Sequence, residues 1–213
     1  MKQLRTVPRL QLVSYIFTLI VCSLAFVAWG DINQWQFNSL TVYAVFPLLG
    51  LMAFSILWSQ YMVLTTAKLA KITTKNITNY FNVTGWIFLA AIFLHPGLLV
   101  WQLWRDGFGL PPESYLKHYI APGLEWAALL GTLSFLIFLS YELRRWYSGK
   151  SWWRFVVYAS DIAAVAIFIH SLKLGTTLQT GWFRAVWISY GVMLIIALMY
   201  LRIYPHFKSR FAK

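Results

Sequence analysis

Two histidines and one aspartate stand where an apolar chain tolerates them poorly. His170 closes the run WWRFVVYASDIAAVAIFIHSLK (152–173), Asp161 lies inside the same run, and His95 sits in WIFLAAIFLHPGLLVW. An ionisable group inside an apolar span needs a partner, so each is a functional candidate by default. The chemistry open to them is narrow. A neutral imidazole offers a nitrogen lone pair to a metal, and a buried carboxyl can carry a proton or accept a hydrogen bond.

The elements that hold these residues follow from composition. Of 213 residues, 60% are hydrophobic and 11% charged, with mean hydropathy +0.62, whereas soluble domains are roughly half apolar and a quarter charged. Six stretches are apolar over about the 20 residues a helix needs to cross a bilayer: 10–30, 40–64, 80–104, 119–141, 152–173 and 182–203. Continuous apolar runs of this length predict helices, not barrel strands. The expectation is an all-α, polytopic six-helix bundle forming a single membrane domain over 1–213, with a first span that is retained. A net charge of +12 would suggest nucleic acid in a soluble protein. Here the cations flank apolar runs, where topology and lipid headgroups account for them, and no nucleic-acid partner is expected. Fourteen Lys and Arg fall on one side, including Lys2, Arg5, Arg9, Lys68, Lys71, Lys75, Arg144, Arg145, Lys150, Arg154, Arg202, Lys208, Arg210 and Lys213. Four fall on the other: Arg105, Lys117, Lys173 and Arg184. Both termini are therefore expected in the cytoplasm. Trp35, Trp101, Trp104, Trp146, Trp152, Trp153 and Trp182 near span ends read as interfacial anchors. The lone Cys22 excludes an internal disulfide, a CxxC motif and an iron–sulfur ligand set.

Spans three and five run in the same direction. Starting near Thr78 and Trp152, they carry His95 and His170 to within about one residue of the same depth, at 1.5 Å per residue. Two neutral imidazoles at equal depth on neighbouring helices could supply both axial ligands of a b-type haem. The alternative is that each satisfies a local backbone or side-chain partner or reaches the headgroups.

From about residue 45 the chain resembles the ferric reductase-like transmembrane domain, the six-helix haem-b domain that includes the haem-binding subunit of the methionine sulfoxide reductase system. The resemblance rests on Gly50 and Ala53 in LLGLMAFSILWSQYMVL, Gly85 ten residues before His95, the FLSYELRRWYSGKSWWRF lead into span five, and His170. It implies haem iron ligated by His95 and His170 and a bacterial inner-membrane location. The chain departs from the pattern where an inner histidine usually precedes each outer one. Those positions hold Phe81 or Asn82 and Val156 or Val157. The resemblance therefore implies one outer haem b, exchanging electrons with quinol or a partner protein. No Gly-rich strand-to-helix turn provides a flavin or NAD site.

Asp161 lies nine residues before His170, roughly 13 Å deeper, as a possible proton or quinone site or a protonated carboxyl bonded to a neighbouring helix. Arg154 is expected to snorkel to the headgroups rather than reach it. Pro96 could kink span three and either aim or spoil His95. His118 and His206 read as loop and tail residues, and Glu125 as interfacial. Tyr43, Tyr61 and Tyr80 read as belt and packing residues. The contrasting hypothesis is a haem-free scaffold or partner subunit. A transporter built around Asp161 lacks a convincing inverted repeat.

Overall fold

The computed structural model describes residues 3–141, 143 and 147–203. Lys2, Arg144, Arg145, Trp146, His206, Lys208, Arg210 and Lys213 lie outside the described residues. Seven helices are named here: α1 (Gln3–Ile32), α2 (Val42–Leu69), α3 (Thr78–Arg105), the short α4 (Glu113–His118), α5 (Glu125–Tyr141), α6 (Trp153–Leu174) and α7 (Trp182–Leu198). A π-turn, Met199–Ile203, extends α7. Regular structure among the described residues is entirely helical. Five helices are long and apolar enough to cross a membrane: Arg9–Ile32, Val42–Leu69, Lys75–Arg105, Trp153–Leu174 and Trp182–Arg202. The protein is an all-helical integral membrane protein.

The expected fourth span, 119–141, is shortened. Its helix begins only at Glu125 and has 17 residues, roughly 25 Å of rise. Ala121-Pro122-Gly123 breaks the start: Gly123 sits at φ +85°, a region open to glycine. The Glu125 carboxylate then accepts the Gly123 N–H at 3.1 Å, satisfying one donor next to the helix start.

Two antiparallel hairpins, α2–α3 and α5–α6, hold the closest helix packing, while α1 lies on α2, and α7 bridges α2 and α6. The core runs through Phe54 and Trp58 of α2, Phe88 and Ile92 of α3, Ala163 and Ala164 of α6, and Trp187 and Leu194 of α7. Small residues let membrane helices approach. At Gly191 a Cβ would stand 2.2 Å from the Phe168 ring, so α7 meets α6 there only as glycine. Trp58 donates to the Tyr190 carbonyl at 2.8 Å and stacks on its ring at 4.2 Å. Of the expected anchors, Trp35, Trp101, Trp104, Trp152 and Trp182 are exposed, but Trp153 is buried against Tyr141.

Candidate functional site

His95 follows the first residue of α3, Thr78, by 17 positions, and His170 follows the first residue of α6, Trp153, by 17. The two half-buried imidazoles stand within electrostatic range of each other. Pro96 does not break α3, which continues unbroken to Arg105.

Each imidazole is seated on the first helix of its own hairpin in the same way. His95 Nδ1 lies 2.7 Å from the carbonyl of Phe46, and His170 Nδ1 lies 2.8 Å from the carbonyl of Ala127. A carbonyl only accepts, so both rings carry their proton on Nδ1 and keep a lone pair on Nε2. Neither Nε2 has a hydrogen-bond partner among the described residues. Four residues after each accepting carbonyl, on the same helical face, stands a glycine. A Cβ at Gly50 would lie 2.8 Å from His95 Cε1, and one at Gly131 would lie 2.6 Å from His170 Cε1. Any larger residue would push the ring off its carbonyl.

Gly131 and the Phe46 and Ala127 carbonyls are what the sequence reasoning missed. A signal for them exists as a direct repeat, absent from a search for an inverted one. Gly50-Leu51-Met52-Ala53-Phe54 matches Gly131-Thr132-Leu133-Ser134-Phe135, and Ala91-Ile92-Phe93-Leu94-His95 matches Ala166-Ile167-Phe168-Ile169-His170. The hairpins α2–α3 and α5–α6 thus seat their imidazoles in the same way.

This arrangement fits a cofactor that arrives with most of its own ligands. No group of three or more His, Cys, Asp or Glu side chains that could hold a metal ion occurs among the described residues. Two imidazoles alone suit haem iron, which already has four porphyrin nitrogens. A backbone carbonyl on Nδ1–H is also the usual support behind a ligating histidine; it fixes the ring and raises the basicity of Nε2.

The other end of the bundle is arranged differently. Asp161 is buried, and its carboxylate accepts from Arg202 Nε at 2.6 Å, Arg202 Nη2 at 3.2 Å and the Tyr61 hydroxyl at 2.8 Å. Asp161 is therefore paired with Arg202 and bonded to Tyr61 on the neighbouring α2. The cation is Arg202, delivered by the π-turn, while Arg154 lies over the Phe155 ring at 5.0 Å. Gln60 donates to Thr84 at 2.9 Å, and the Thr18 and Tyr80 hydroxyls bond at 2.8 Å. Tyr61 and Tyr80, read as belt and packing residues, are therefore members of buried polar contacts. Phe81 packs edge-on against Tyr80 at 5.2 Å, and Val156 supplies only a carbonyl, to Ser160. At Gly85 a Cβ would meet nothing, so that glycine is not required by packing.

At the histidine end, the connection after α3 carries Asp106, which accepts from the Tyr43 hydroxyl at 2.6 Å and from Gln102 Nε2 at 2.8 Å. These bonds hold its carboxyl below the usual aspartate range. His118 is exposed and stacks on Phe108 at 4.3 Å.

Residues 120–172 match the family described as "Predicted membrane protein (DUF2127)". The match contains Ala127, Gly131 and His170. No curated protein and no solved structure matches the chain.

Proposed function

We propose that this protein is a six-span, b-type cytochrome subunit of the ferric reductase-like kind, holding one haem between His95 and His170 near the outer leaflet. The observation that carries the reading is the doubled cradle: two imidazoles, each with Nδ1–H on a backbone carbonyl, each seated on a glycine, each with Nε2 unengaged. Haem, when bound, supplies a one-electron couple at this position. The chain's own residues fix its surroundings. The Phe46 and Ala127 carbonyls orient the rings and strengthen Nε2 as a donor. Gly50 and Gly131 let them sit against the backbone, and Leu51, Phe54 and Ile92 nearby keep the bundle interior apolar.

In this reading α5 also crosses, bringing the spans to six, both termini are cytoplasmic, and the host is a bacterial inner membrane. Electrons come from or pass to quinol or a redox partner protein on the outer side. Asp161, fixed by Arg202 and Tyr61, serves to join α2, α6 and α7 rather than to shuttle protons.

The closed inner end favours a second reading. A chain that has lost its inner histidines and filled the space with polar contacts could be a haem-free scaffold or partner subunit. A dithionite-reduced minus oxidised spectrum of the purified protein, with pyridine haemochrome quantitation, separates the two. The cytochrome gives a sharp b-type α-band and one haem per chain; no band after expression with ample haem leaves the scaffold.

A further inference from the structure

His95 touches an aromatic column that reaches the surface. Its ring centroid lies 5.3 Å from that of Phe46, Phe46 lies 5.6 Å from Tyr119, and Tyr119 lies 6.1 Å from Tyr43, stacked at 11°. These spacings are those of directly packed rings. Phe46 is buried, and Tyr119 is 39% exposed. Asp106, holding the Tyr43 hydroxyl, pins the outer end. His170 has no ring contact of this kind among the described residues, so the two otherwise matched imidazoles differ in their route to water. A second run, Phe54–Trp187–Phe183–Trp182, also reaches the same end of the bundle but touches neither histidine ring.

We propose that Phe46, Tyr119 and Tyr43 form the outer electron-exchange contact of the protein, at which a one-electron partner couples to the His95 side of the site. Tunnelling is least damped through matter in van der Waals contact, and this column is such a path from a ligand ring to solvent. His95 would hold the haem, which would supply the one-electron couple. One electron would leave along the column to the outer acceptor per event, with no bond made or broken and no proton transferred by Phe46, Tyr119 or Tyr43. The inference rests on the haem reading above.

The test uses the full chain in detergent, reduced and then mixed with ferricyanide as outer oxidant in a stopped flow. Haem content and midpoint potential are measured on the same samples. Tyr119→Leu is expected to slow reoxidation at least threefold, with haem content and potential unchanged. Tyr119→Phe, which keeps the ring, restores the wild-type rate, and Phe183→Leu leaves it unaltered. A wild-type rate in Tyr119→Leu overturns the inference while leaving the haem reading intact. So does slowing that appears together with a shifted potential, because the effect is then structural. No α-band in the wild type overturns both.

Discussion

The two ends of the bundle solve the burial of polar side chains in opposite ways. At one end, Tyr61, Asp161 and Arg202, with Gln60–Thr84 and Thr18–Tyr80, close their polar atoms upon one another. At the other, each imidazole spends one nitrogen on a carbonyl and leaves the other unengaged. Buried groups are normally satisfied. On the proposed reading, the two unengaged imidazole nitrogens on their glycine seats are the place for a ligand, and the closed network is structural.

The sharpest way to break this contrast is to remove an imidazole. His95→Ala or His170→Ala is expected to abolish the α-band entirely, with His118→Ala retaining it; haemochrome quantitation decides, and a band persisting in either of the first two ends the assignment. Next in size is refilling a seat. Gly131→Val and Gly50→Val should each remove most of the haem, because the new side chain occupies the ring's position. Alanine at either site should lose less, and Gly85→Ala nothing, since open space surrounds it.

At the opposite end, Arg202→Met should lower stability by about 3 kcal/mol, the cost of stranding a buried charge, while the α-band stays at its wild-type position. Thermal denaturation in detergent checks the first part and the spectrum the second. An α-band lost with Arg202 would make the two ends one functional unit. Gln60→Ala should cost about 1 kcal/mol, as for one hydrogen bond.

The smallest effect concerns Asp106. Its carboxyl is held low by Tyr43 and Gln102, so the contribution of these bonds is present above the unfolded aspartate pKa. It fades as pH falls through the lowered folded value. Asp106→Asn should lower the melting temperature slightly at neutral pH, where this contribution is fully present, and flatten the fall of the melting profile on the acid side.

How far the chain could be read without its fold is clearest at particular residues. Five of the six apolar runs coincide with helices long and apolar enough to cross a membrane, since a bilayer admits few other structures. The run 119–141 holds only the 17-residue α5, whose start the Pro122-Gly123 break sets back to Glu125. His95 and His170 were found because an imidazole in such a run is conspicuous, and their matched depth follows from helical rise alone. Gly131 was not found, because a glycine in an apolar helix looks like many others until the ring that needs it is known. The repeat containing it lay in view as two copies of Ala-Ile-Phe-x-His.

What the sequence by itself determined is therefore the elements, their hydrophobicity and the position of each ionisable group along its own helix. These are local properties, set by 1.5 Å per residue and the need to bond every backbone group in lipid. Only the tertiary structure decided who meets whom: Phe46 with His95 across 49 positions, Ala127 with His170 across 43, Arg202 rather than Arg154 with Asp161 across 41. Such pairings depend on how helices are rotated and packed against one another, and side-chain period along one helix carries no record of its neighbour's face.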